Sequence, residues 1–167
     1  MKNIILCGFM GCGKTTLAKN LSRELGLPLI DTDEEIVKRQ GRSISDIFAT
    51  EGEQYFRNLE TELIKELSVA EGNIISLGGG LAANTVNHPY LKKAGKVILL
   101  DCGIGETLKR ITGDHARPLA AGGREDIIAR YKARKPLYLS VADAVIDSSG
   151  GKKATLGLAL NIIESLK

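Results

Sequence analysis

Gly8-Phe9-Met10-Gly11-Cys12-Gly13-Lys14-Thr15 holds, in one short span, the residue types needed to grip a phosphate chain. Glycines let the backbone curl until its N–H groups converge on phosphate oxygens, a lysine adds a point charge, and a threonine hydroxyl suits a hard cation such as Mg²⁺. The pattern is G-x-x-x-x-G-K-[ST], a P-loop. The apolar run Ile4-Ile5-Leu6-Cys7 precedes it, and the helical spacing of Leu17, Ala18, Leu21 and Leu25 follows. A strand before and a helix after are what the motif requires, since the helix N-terminus adds free N–H groups and partial positive charge for an anion. A glycine turn with no ligand is the competing reading, and the complete motif in this context disfavours it.

Other residues could serve the same chemistry. Asp31-Thr32-Asp33 ends a short apolar strand, Leu29-Ile30, and its two carboxylates share one side if the chain stays extended. The carboxyl end of a strand in an open α/β sheet is where such folds bind ligands. A helix-capping aspartate followed by a solvated one is the plainer alternative. Arg57 and Glu60 lie three apart, so they can meet on one helix face, although such a pair is usually surface decoration. Gly78-Gly79-Gly80 follows the strand-like Asn73 to Leu77, where three glycines imply close approach of a ligand or another backbone, or else a sharp turn. Arg117-Pro118 sits in a stretch over about 112–123 that breaks helical periodicity and ends in two glycines. It suits either a lid that delivers a charge on closure or a solvated connection. Arg130 and Arg134 are expected on the surface of a helix over 124–139.

The elements that must position these residues alternate. Strands are expected near 4–7, 29–30, 73–77, 96–100 and 144–146, and helices over 16–25, 34–40, 43–50, 53–71, 84–93, 105–111 and 124–139, with a last helix running through Leu166. Strand and helix in turn predict an α/β layer fold with a parallel central sheet. The 167 residues fit one domain. A net charge of +3, with Lys and Arg dispersed, does not suggest a nucleic-acid footprint. Cys7, Cys12 and Cys102 have no disulfide or metal-ligand spacing and read as reduced thiols, and His88 and His115 have no partner that would give them a role. With no signal peptide and no apolar run of roughly 18 residues, a soluble cytoplasmic protein without membrane contact is expected.

Taken in order, the P-loop, Asp31-Thr32-Asp33, Phe56-Arg57 with Glu60 three later, the glycine run, Arg117-Pro118 and Arg134-Lys135-Pro136-Leu137-Tyr138 resemble the shikimate kinase family. The resemblance runs from Ile4 to about Ile146 and is far more specific than the P-loop alone. It implies a three-layer P-loop kinase fold with a five-stranded parallel sheet in order 2-3-1-4-5. It further implies a single domain over 1–167, an acceptor-binding subregion over about 33–60 and a mobile lid over about 112–123. The implied activity is ATP-dependent phosphorylation of the 3-hydroxyl of shikimate, on the way to chorismate and the aromatic amino acids, by a monomer that needs Mg²⁺.

Carried over by position, Gly11, Cys12, Gly13, Lys14, Thr15 and Thr16 would hold the ATP phosphates, with Thr15 on Mg²⁺ and Asp31 supporting the metal through water. Arg110 would stack on adenine, near the loop Asp147-Ser148-Ser149-Gly150, and the lid residue Arg117 would reach the phosphates. Asp33, Arg57, Gly79, Gly80 and Arg134 would bind shikimate, beside an apolar wall of Phe48 and Phe56. The two arginines then have a physical reason, because a planar fork can clamp a carboxylate in bidentate fashion. Lys14, Arg117 and Asp33 would carry catalysis, the first two by neutralising charge and Asp33 by orienting the acceptor hydroxyl and taking its proton. The segment after Arg117-Pro118, Leu119 to Gly123, is shorter than the family's common lid. Two rivals are a gluconate kinase on the same fold and a nucleotide-binding module without turnover. The glycine run and the R-x-P-L-Y sequence speak against the first, and intact Lys14, Thr15, Asp33 and Arg117 against the second.

Overall fold

Strand β1 (Asn3–Gly8) is buried at every position, as the middle strand of a parallel sheet covered on both faces must be. Alternation along it sends Ile5 and Cys7 to one face and Ile4 and Leu6 to the other. The computed structural model describes residues 1–112 and 123–166. Beside β1 lie β2 (Leu29–Asp31), β3 (Ile74–Ser76), β4 (Gly95–Asp101) and β5 (Ala144–Asp147). The five strands form one sheet in the order β2-β3-β1-β4-β5, with every neighbouring pair parallel. The expected fold class and strand order are both observed.

Helices α1 (Lys14–Leu25) and α8 (Lys152–Ser165) cover the Ile4/Leu6 face, where Leu17, Ala18, Leu21, Ala159 and Ile163 complete a core with Ile74, Ile98, Leu100 and Ile146. The Ile5/Cys7 face packs against α4 (Glu53–Leu67), α5 (His88–Ala94) and α7 (Gly123–Val141), through Phe56, Leu63, Ile64, Leu91, Ile127 and Tyr131 among others. Helices α2 (Thr32–Gln40) and α3 (Ile44–Glu51) add Ile36 and Ile47 to this second core, and α6 (Gly103–Thr112) adds Leu108 and Ile111. Three layers result, helix on sheet on helix.

Four expectations change. The chain is not extended through Asp31-Thr32-Asp33: β2 ends at Asp31, and α2 starts at Thr32 because the Asp31 carboxylate caps it, accepting from the N–H groups of Asp33 and Glu34. The long helix stops at Leu67, its last core residue, and tighter turns through Val69 and Ala70 replace the expected run to Glu71. Residues 85–87 form a 3₁₀ turn before α5, with Pro89 in the first turn of the helix, where its missing N–H costs nothing. Arg134 is half-buried beside a cavity, not on the open surface. Arg117, His115 and all but the end residues of the expected lid lie outside the described residues.

Candidate active site

Glycine at position 8 is dictated by packing: a Cβ there would run into the carbonyl oxygen of Leu100 on β4. The chain then curls, and Gly13 caps α1 in the left-handed conformation (φ 97°) without a side-chain hydrogen bond to the helix N-terminus. Nor does the first turn of α1 contain an acidic residue. Its N–H groups and partial positive charge are therefore left for an anion. The Lys14 ammonium folds back to donate to the carbonyls of Gly8 (2.6 Å) and Phe9 (3.2 Å). Gly11, Cys12, Gly13, Lys14, Thr15 and Thr16 line a cavity of about 760 Å³.

The far side of that cavity is built on the glycine run. A Cβ on Gly78 would overlap the Asp33 carboxylate, one on Gly80 would overlap the Arg57 guanidinium, and one on Gly79 would come within 3.4 Å of Arg134. The sequence predicts close approach of a ligand or another backbone, and three side chains lie against the run as well. The Thr32 hydroxyl accepts from the Gly78 N–H (2.9 Å), and the Tyr138 hydroxyl donates to the Gly79 carbonyl. This second bond ties the R-x-P-L-Y stretch of α7 to the glycines, and burial pushes the Tyr138 phenol up to about 12, against the pull of Arg134.

Arg57 and Glu60 are no surface pair. Arg57 Nη1 donates to Glu60 at 2.7 Å, and the Glu60 side chain is only 1% exposed, with no hydrogen-bond partner for its Oε1 among the described residues. Glu53 takes a further Arg57 nitrogen at 3.2 Å. Burial pushes Glu60 up to about 7, with Arg57 pulling the other way. Burial also raises Asp33, the neighbouring Asp31 adds to this, and Lys14 and Arg57 oppose it. Phe48 and Phe56 pack with ring centres 5.1 Å apart, and both line the cavity. Asp31, Asp33, Arg57, Gly79, Gly80, Arg110 and Arg134 line it too, so every expected site residue that lies among the described residues borders one space.

Sequence reasoning missed the cavity residues Asn20 and Lys152, whereas Ser148, which also borders the cavity, lies in the loop expected near adenine. Asn20 and Lys152 sit in ordinary helical sequence, with no local signal. Tyr138 and Thr32 stood inside motifs already singled out, yet their partners, Gly79 and Gly78, are 59 and 46 positions away.

A P-loop at the end of the central strand, opening on the same space as a carboxylate and two arginines, defines a P-loop small-molecule kinase. The family model for shikimate kinase matches residues 10–167. A shikimate kinase of Persephonella marina is 41% identical over 150 residues, which cover 90% of this chain and 91% of that one. The solved shikimate kinase from Acinetobacter baumannii, in complex with shikimate, superposes with a TM-score of 0.83 at 33% identity, covering 97% of this chain and 94% of the other. This chain belongs to the shikimate kinase family. A gluconokinase from Sinorhizobium meliloti is also similar, with a TM-score of 0.62 over 99% of this chain and 98% of the other, but at 13% identity it shows the shared fold alone.

Proposed function

We infer that this chain transfers the γ-phosphoryl group of ATP to the 3-hydroxyl of shikimate, giving shikimate 3-phosphate for the synthesis of chorismate and the aromatic amino acids. The observation that carries this reading is the meeting of Asp33, Arg57 and Arg134 at the glycine run, in the cavity that the P-loop also lines. Shikimate is a carboxylate with ring hydroxyls. Arg57 and Arg134 clamp the carboxylate, Phe48 and Phe56 wall the ring, and Asp33 accepts from the reacting hydroxyl.

In the reaction the bond between the γ-phosphorus and the β-bridging oxygen breaks, a bond from phosphorus to the shikimate 3-oxygen forms, and the hydroxyl proton passes to Asp33. Such a transition state needs alignment and charge neutralisation more than covalent help from the protein. The P-loop N–H groups hold the phosphates, and Lys14 exchanges its loop carbonyls for a phosphate oxygen. The raised affinity of Asp33 for a proton suits it to accept one late. Arg110 is engaged along its edge, by Glu106, the Gly11 carbonyl and the Ser148 carbonyl, which frees its flat face for adenine. Arg117 is assigned to the phosphates by resemblance.

The donors present fit Mg²⁺, which holds several waters and takes few protein oxygens. Among the described residues no group of three or more His, Cys, Asp or Glu could cage a metal. Thr15 and, through water, Asp31 would hold the ion; both hydrogen bonds to Asp31 fall on Oδ1, and no partner is found for Oδ2 among the described residues. Bound there, the ion would neutralise phosphate charge. A monomer in the cytoplasm is the state proposed: three buried free cysteines suit a reducing compartment, and, among the described residues, no helix is long and apolar enough to cross a membrane.

Calorimetric titration with shikimate tests the acceptor site. Arg57→Ala and Arg134→Ala should each weaken binding by roughly 30- to 150-fold, the loss of about 2 to 3 kcal/mol expected for a charged, bidentate partner. Lysine at either position should not restore it. Normal shikimate binding by both alanine variants would place the acceptor elsewhere.

A further inference from the structure

Ser148 follows β5 in sequence, 136 positions from Cys12, and it is 3% exposed. All three of its polar groups are committed. Its N–H donates to the carbonyl of Asp101 at the end of β4 (2.9 Å), its carbonyl accepts from Arg110 Nη2 (2.8 Å), and its hydroxyl donates to the carbonyl of Cys12 inside the P-loop (2.7 Å). The same Arg110 donates through Nη1 to the next carbonyl back, that of Gly11 (3.2 Å). Two successive P-loop carbonyls are thus tied to one strut that is anchored on the sheet.

Orientation of a carbonyl fixes the amide that follows it. In a planar trans peptide the C=O and the next N–H point in opposite directions, so holding the Cys12 oxygen against Ser148 turns the Gly13 N–H the other way. Gly13 borders the cavity and begins the helix N-terminus that an anion would meet. Glycines on either side of Cys12, with φ of 74° at Gly11 and 97° at Gly13, give this peptide little steric restraint of its own. Without an outside partner it could rotate and present its carbonyl, not its N–H, to a phosphate.

We propose that Ser148 is a positioning residue for the P-loop, its buried hydroxyl holding the Cys12–Gly13 peptide in the orientation that binds phosphate. The proposal rests on the nucleotide-binding reading of the loop and adds to it a residue that touches neither phosphate nor acceptor. Because the same residue takes a hydrogen bond from Arg110, the base side and the phosphate side of the donor site share one support.

Binding of ADP, inorganic tripolyphosphate and shikimate, measured by calorimetry on the parent, Ser148→Ala and Ser148→Cys, tests this. Tripolyphosphate has the phosphate chain but no base, so it reads the loop alone. The alanine variant should lose affinity for ADP and for tripolyphosphate alike, by roughly five- to tenfold, with shikimate affinity unchanged. Cysteine keeps the volume with a weaker donor and should show the same pattern at smaller size; it carries the test if the alanine variant does not fold. Loss of ADP affinity with tripolyphosphate affinity retained would overturn the proposal, placing the effect at the base. An equal loss of shikimate affinity would overturn it as well, in favour of general support of the fold. Failure of the parent itself to bind ADP would contradict the nucleotide reading and the proposal together.

Discussion

Asp33 experiences opposing influences: burial and Asp31 disfavour its charge, while Lys14 and Arg57 favour it. A carboxylate so balanced accepts a proton more readily than a solvated one, yet stays near two cations, Lys14 and Arg57. Asp33→Asn keeps the shape and removes the base. Turnover should fall by a factor on the order of 10² or more, while Mg-ADP affinity, measured by calorimetry, stays close to the parent's. Loss of nucleotide affinity with normal shikimate binding would reverse the roles given to Asp33 and Asp31. Glu60 makes a separate prediction, about pH. Its affinity for a proton is raised by burial from 4.5 to about 7, so between those values the folded chain holds a proton that the unfolded chain has released. Its contribution to stability is then present below the lower value and is lost as pH rises to the upper one. The melting temperature of the parent relative to Glu60→Gln should therefore fall between pH 4.5 and about 7, and a constant difference across that window would contradict the assignment.

At the scale of elements, the glycine run shows how far apart in sequence the parts of one wall lie. Gly80 makes room for Arg57 on α4, and Gly78 for Asp33 on α2. In Gly80→Ala the new methyl would displace the Arg57 guanidinium from its place beside Glu60. Shikimate affinity should drop roughly tenfold or more, the scale of a lost charged hydrogen bond, with ADP affinity spared; calorimetry with both ligands reads this directly, and unchanged shikimate binding would show that Arg57 does not need its present seat. The P-loop, the five strands and the order of the motifs were legible because each is local: a run of apolar residues, a glycine, a cap. Asp-Thr-Asp also carried a local signal, a capping aspartate before an acidic first turn, and the extended reading lost to it. Burial of Glu60, the seat of Arg134 and the bond from Ser148 to Cys12 had no such signal, since each depends on residues brought together by the sheet.

Across the whole molecule, the sheet keeps two apolar cores, one on each face, and leaves polar chemistry to the carboxyl ends of its strands. Gly8 ends β1 at the P-loop, Asp31 ends β2 at the acid pair, Ser76 leads from β3 to the glycine run, and Asp147 leads from β5 to the strut under the loop. The residues assigned to donor and acceptor in the proposed reaction therefore border one cavity, because the strands run parallel and end on the same side. The likeness to other P-loop kinases is in this frame, and the proposed choice of acceptor rests on Asp33, Arg57, Arg134 and the glycine run they lie against. The most direct test is ADP release by the purified chain, followed with a coupled assay in Mg-ATP with shikimate, with gluconate, or with neither. ADP should appear in step with shikimate 3-phosphate when shikimate is present, and at background rate in the other two mixtures; release that depends on gluconate, or no shikimate-dependent release from protein that binds both ligands, would contradict the account.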